Sequence, residues 1–157
     1  MAVKPIPDGY RAITPYLIVK GAAEAIDFYK HCFGATEMVR MAGPHGKVGH
    51  AEMKIADSMI MLADEHPQMG YRSPASLGGS SVSILLYIEN VDAVFERAVK
   101  AGAKVMRPLA NQFYGDRTGT VEDPFGHLWT IATHIEDVAP EEMKRRMDAW
   151  MKSAPSS

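Results

Sequence analysis

Phe113–His134, FYGDRTGTVEDPFGHLWTIATH, decides how the rest of the chain is to be read. Arg117–Glu122 is rich in Thr and Val and poor in helix formers, which predicts a strand. Asp123-Pro124-Phe125-Gly126 is a tight turn: proline fixes one φ angle and glycine supplies a conformation other residues avoid. His127–Thr133 alternates as a second strand, with Leu128, Thr130 and Ala132 on one face and Trp129 and Ile131 on the other. The segment is therefore a β-hairpin, approached through the polar residues Tyr114, Asp116 and Arg117. Gly49–Glu65, GHAEMKIADSMIMLADE, has the same shape, a strand, a turn at Ala56-Asp57-Ser58 and a second strand.

Working outward, the elements before each hairpin also match. Ala12–Val19 (AITPYLIV) reads as a strand and Gly21–Phe33 as an amphipathic helix ended by Gly34. Thr36–Met41 is a strand, and Gly43-Pro44-His45-Gly46 turns into the first hairpin. The second half repeats this order with Val82–Ile88, the helix Val91–Val99 closed by Gly102, and the strand Lys104–Pro108. Val19 to Ile88, Gly34 to Gly102, Gly49 to Gly119 and Leu62 to Ile131 all lie about 69 residues apart. Four landmarks at one spacing predict a duplicated unit of order β, α, β, β, β.

The expected domain is single, spanning 1–157, with one module at about 10–65, a linker at 66–81 and a second module at about 82–134. His66–Ser81 is rich in Pro, Gly and Ser, as a linker is. A helix over 140–152 closes the chain, with Met143, Met147, Trp150 and Met151 on one stripe too apolar for water. That stripe calls for docking on the sheet or on a second copy, hence an expected homodimer. Trp129 falls on the helix-facing side and is expected in the core against Phe95.

Composition narrows the function. Of 157 residues 46% are apolar and 23% charged, an ordinary balance for a globular chain. A net charge of −2 gives no reason to expect nucleic acid or an acidic membrane as partner. No apolar run approaches the ~20 residues that span a bilayer, and the first residues lack the apolar region of a signal peptide. One cysteine, Cys32, forbids an internal disulfide, so the expected location is cytoplasmic.

The duplicated unit, with Ile26-Asp27-Phe28-Tyr29…Phe33-Gly34 in the first helix and Glu122-Asp123-Pro124-Phe125-Gly126-His127 in the last hairpin, resembles the glyoxalase/bleomycin-resistance protein/dioxygenase superfamily, also called vicinal oxygen chelate. Gly115-Asp116-Arg117, His127-Leu128-Trp129-Thr130 and Pro140-Glu141-Glu142-Met143 resemble its PhnB-like branch. The resemblance covers about residues 10–135. It implies an α+β fold in which two tandem βαβββ modules form a cupped, barrel-like mixed sheet with the helices outside, plus the C-terminal helix. In catalytic members a divalent metal sits in the cup, held by His, Gln or Glu from the first and last strands of each module. Those places fall here on Thr14, Met61, Ser83 and Thr130, of which none is a strong metal ligand. The expectation is accordingly no metal, no cofactor, and not an ordinary lactoylglutathione lyase.

Two readings of function remain. The first is a metal-free protein that sequesters or carries a mainly apolar or aromatic small molecule. Its expected wall is Tyr16, Met61, Ser83, Leu85, Tyr87 and Thr130, an apolar surface with a few hydroxyls. Tyr114 and Arg117 stand near the mouth, where an arginine would grip an acidic group, although Asp116-Arg117 also suits a solvated hairpin corner. The second reading is a lyase, isomerase or dioxygenase-like enzyme using His50 and Glu52, with or without a displaced metal. Two apart on one strand, that pair shares a face and suits base plus orienter or two metal ligands; it equally suits a polar rim.

Overall fold

The computed structural model describes residues 3–153. In chain order the elements are β1 Tyr16–Val19, α1 Ala22–Phe33, β2 Thr36–Ala42, β3 Val48–Ile55, β4 Ser58–Asp64, α2 Pro74–Leu77, β5 Ser83–Tyr87, α3 Val91–Lys100, β6 Lys104–Asn111, β7 Asp116–Glu122, β8 Leu128–His134 and α4 Pro140–Ser153. They form two four-stranded mixed sheets, ordered β1-β4-β3-β2 and β5-β8-β7-β6. In each, the first strand runs parallel to the last and the other pairings are antiparallel. The registers repeat too: Tyr16 opposes Met61 as Leu85 opposes Thr130, and Glu52 opposes Met61 as Thr120 opposes Thr130. Among the described residues no strand pairing joins the two sheets and no barrel closes, so the expected continuous cup is two half-cups. No helix among the described residues is long and apolar enough to cross a membrane.

Strand alternation sends one face of each sheet to the helices. Leu17, Val19, Ala51, Met53, Ile55 and Leu62 are buried against α1, and Val121, Trp129 and Ile131 lie in the same core as α3. Each helix begins on the last strand of its own module. The Asp64 carboxylate accepts from the Gly21 and Ala22 amides at 2.9 and 3.0 Å, and the Thr133 hydroxyl accepts from Val91 at 3.1 Å. These acceptors occupy amides that a helix N-terminus leaves without partners.

Trp129 is buried, but not against Phe95. Its ring packs on Phe33 and Tyr29 of α1, with centroids 4.7 and 5.4 Å away, across the two halves of the repeat. Phe95 instead occupies space left by Gly119, where a Cβ would come within 2.5 Å of the ring. The reason for Trp129's place is Asp123, which is 3% exposed. Its Oδ2 accepts from Tyr29 Oη at 2.7 Å and Trp129 Nε1 at 2.9 Å. Its Oδ1 accepts from the Phe125 and His127 amides, both at 2.9 Å, which shapes the hairpin turn. Burial and the Asp123 carboxylate hold the Tyr29 phenol well above its usual titration range.

Two other expectations need correction. The first strand starts at Tyr16, not Ala12; Pro15 before it has no N–H to offer a ladder, and its carbonyl receives Met61 N–H. The strand expected to end at Pro108 runs on to Asn111, because β6 is an edge strand whose register shifts between Arg107 and Ala110. Helix α4 has no buried residue: Met147, Trp150 and Met151 are 41, 56 and 53% exposed. It touches the β6–β7 turn, with Trp150 beside Phe113 at 5.7 Å and Arg146 donating to the Phe113 carbonyl, and leaves its apolar stripe uncovered in a single chain.

Candidate functional site

On the helix-free face of the first sheet, β3 brings His50 and Glu52 to one side as alternation requires, and β1 brings Tyr16 beside them. Tyr16 Oη lies 2.8 Å from His50 Nδ1, and His50 Nε2 lies 3.1 Å from Glu52 Oε1. The other Glu52 oxygen accepts from Tyr10 Oη. Tyr10 lies ahead of the first strand, outside every element that the sequence pattern marks. These contacts form an unbroken chain, Tyr10–Glu52–His50–Tyr16.

The charges of the chain fix its proton arrangement. Bonds from Tyr10 first, then His50, hold the Glu52 carboxyl below its usual range, so it is an acceptor at neutral pH. Desolvation, with Glu52 alongside, pushes the Tyr10 phenol up to about 12, and burial together with Tyr71 and Glu52 raises that of Tyr16. Both phenols are therefore proton donors. A neutral His50 must then carry its proton on Nε2, toward Glu52, and accept from Tyr16 at Nδ1. Tyr16, 46% exposed, is the end of the chain that meets solvent.

The second sheet carries a different cluster at a different height. Tyr87 Oη donates to Asp116 Oδ2 at 2.7 Å, His134 Nδ1 lies 2.7 Å from Asp116 Oδ1, and His134 Nε2 lies 2.9 Å from Asp137. Asp116 is 4% exposed, whereas His134 and Tyr114 are open to solvent. The Asp116 hydrogen bond, then that of Asp137, raises the pKa of His134.

Not every expected site residue converges. Arg117 points to the helix side of β7, clamped by Asp92 through Nε at 2.8 Å and Nη2 at 2.7 Å and held by Asn111 at 3.1 Å. It is not at a mouth shared with Tyr16 and Tyr87, because odd positions of β7 face α3. The six expected wall residues are divided as well. Tyr16 and Ser83 line a groove of about 680 Å³ between the modules. Met61 lines a cavity of about 490 Å³ under the N-terminal segment with Tyr10 and Glu52, while Leu85 and Tyr87 line one of about 330 Å³ beside Ile55–Ile60. Thr130 is half-buried and its hydroxyl is 2.9 Å from that of Thr120.

The four places implied for a metal do not fit one. Thr14 Oγ1 is turned to the Arg11 carbonyl at 3.4 Å, Thr130 Oγ1 to Thr120, Met61 offers a soft thioether, and Ser83 is a neutral hydroxyl on the other sheet. Both ring nitrogens of His50 are already engaged. Cys32 is buried, and desolvation pushes its thiol up to about 11, so it is not a nucleophile.

Comparison with known proteins agrees with this architecture. A family model described as Glyoxalase/Bleomycin resistance protein/Dioxygenase superfamily matches residues 12–131. An uncharacterized protein of Mycobacterium bovis is 45% identical over 141 residues, covering 88% of this chain and 93% of its own. The crystal structure of a gene product from Arabidopsis thaliana, 31% identical, superposes with a TM-score of 0.64 over 78% of this chain and 98% of its own. The PhnB protein from Bacillus cereus, at 20% identity, shares the fold with a TM-score of 0.61 over 78% of this chain and 99% of its own.

Proposed function

The chain belongs to the Glyoxalase/Bleomycin resistance protein/Dioxygenase superfamily, and we propose that within it this protein is a metal-free binder of a small, mainly apolar or aromatic molecule. The observation that carries this reading is the character of the helix-free faces. Tyr16, Leu85 and Tyr87 are 46, 50 and 54% exposed there, among hydroxyl groups and without a metal-binding donor set among the described residues. Aromatic and aliphatic side chains with a few fixed hydroxyls suit a flat ligand.

The half-cups are completed in a homodimer. The open faces and the uncovered stripe of α4 supply apolar surface for it. A buried, unpaired Cys32 suits the reducing cytoplasm.

One observation favours a second reading, an enzyme of the lyase or isomerase kind. The chain Tyr10–Glu52–His50–Tyr16 holds His50, oriented by Glu52, against a phenol that can pass a proton to a substrate. Here Tyr16 would meet the substrate, with His50 and Glu52 acting through it. A thermal-shift screen of the metal-stripped protein against aromatic acids, amines and neutral rings tests the binding reading. Stabilisation that is unchanged by chelator and lost in Tyr87→Ala supports it. Ligands that stabilise only after a divalent metal is restored would overturn it.

A further inference from the structure

We propose that the groove between the two modules is a binding site for a flat, mainly apolar organic anion, and that Arg72 is its anchor. This does not depend on the helix-free faces holding a ligand, although Tyr16 and Ser83 border both.

The groove lies where β1 and β5, each an end strand of its own sheet and not paired with the other, both contribute to its lining. Its volume of about 680 Å³ falls in the range of small-molecule sites, ~300–1,000 Å³. Ile13, Leu77 and Val82 line it while 88, 64 and 67% exposed, an unusual amount of large apolar surface in one place. Ser80, Ser81 and Ser83 add hydroxyls. His127 closes the floor, its Nε2 donating to the Ile18 carbonyl at 3.0 Å.

The charge around the groove is one-sided. Arg72 lines it, and no carboxylate does. By contrast, the cavities over the first module contain Asp64 and Glu65, or Glu52. Arg117 is engaged by Asp92, Arg40 by Glu37 and Arg146 by Glu136, whereas Arg72, like Arg107 on the far edge strand, has no ion-pair partner among the described residues. A guanidinium beside an apolar slot matches a ring system carrying a carboxylate or sulfonate.

The backbone that carries the anchor is also preorganised. The segment that reads as a linker is pinned immediately after Arg72: Ser73 is fully buried and its N–H donates to Glu65 Oε1 at 2.7 Å. Pro74 then packs on the Asp123–Gly126 turn so closely that a Cβ on Gly126 would lie 2.7 Å from it. Positive φ, +88°, further reserves that position for glycine. The wall that bears Arg72 is thereby fixed to the second module, and little backbone ordering is left for binding to supply.

The test uses the full chain and two fluorescent probes of one shape, anilinonaphthalene sulfonate, an anion, and phenylnaphthylamine, its neutral counterpart. The sulfonate should bind saturably, one per chain. Arg72→Ala should weaken it at least tenfold and the neutral probe less than twofold, with Arg72→Lys in between; Lys100→Ala, which touches no cavity, should leave both unchanged. Leu77→Asp should weaken both probes. Absence of saturable sulfonate binding, or equal losses of both probes in Arg72→Ala, would overturn the proposal. So would sulfonate affinity that falls as protein concentration rises, since a second copy would then fill the groove. Loss in Tyr87→Ala with none in Arg72→Ala would place the probe on the helix-free face and sink the groove alone.

Discussion

Tyr16 Oη and His50 Nδ1 lie 2.8 Å apart, with Glu52 on the far nitrogen of the ring, so the histidine is oriented from both sides and the phenol is its outlet. Neutral His50 is therefore expected as the Nε2–H tautomer, and ring nitrogen chemical shifts read this directly. Tyr16→Phe should cost ~1 kcal/mol or less in urea unfolding, as for an ordinary neutral hydrogen bond, and should return Nδ1 to solvent. A dominant Nδ1–H tautomer in the unmodified protein would contradict the arrangement.

Asp123 is the residue most expensive to remove. Asp123→Ala strands the Tyr29 hydroxyl and the Trp129 indole N–H in the core, at ~1–3 kcal/mol each. We expect a loss of about 3 kcal/mol or more, measured from the urea midpoint. Tyr29→Phe, which removes only one donor, should cost less than Asp123→Ala.

His134 predicts a pH dependence. Its folded pKa is raised by Asp116 and then Asp137, above the ~6.5 of an unfolded histidine. Stability from this contact is thus fully present below about pH 6.5 and is lost as pH rises through the raised folded value. The melting temperature of His134→Gln should fall short of the unmodified protein's at about pH 5.5 and approach it near pH 9. An NMR titration midpoint below ~6.5 for His134 would refute the ion pairs.

Sedimentation should give about twice the 17.2 kDa chain mass at micromolar concentration. Replacing Trp150 and Met151 together by Ser should shift the equilibrium at least tenfold toward monomer, because both stand open on α4. A monomer at every accessible concentration would leave the half-cups incomplete and remove the dimer.

Zinc or manganese added at 100 times a real site's Kd would stabilise the fold by ~2.7 kcal/mol. With Thr14, Met61, Ser83 and Thr130 as donors, no such gain is expected for the metal-stripped chain. A stoichiometric gain abolished by His50→Gln would point to a displaced metal site.

Strand alternation and the spacing of the repeat were enough to place the two modules and to put His50 beside Glu52, because both depend on local periodicity. What joins distant segments was not legible. Tyr10 falls outside every element that periodicity marks, and nothing near it announces a carboxylate forty-two positions away. Arg117 was misplaced by a single step of alternation: β7 begins at Asp116, and parity then sends Arg117 to Asp92 on α3. Arg72 was hidden by composition, since Pro, Gly and Ser mark a linker whether or not it is pinned. Asp123 was visible as a turn former, but its role toward Tyr29 and Trp129 needs the tertiary fold.

The tie from Tyr29 through Asp123 to Trp129 bears on how such a duplicated chain assembles. The aromatic surface of α1 is finished by residues nearly a hundred positions later, so neither half owns a complete interior. Half-chains cut within 78–81 would then behave as complementary fragments, each collapsing incompletely until it finds the other. Fusion converts that encounter from a bimolecular event into an intramolecular one, at an effective concentration of order millimolar. The duplicated gene product folds as one cooperative body because its two similar parts have become unlike at the seam.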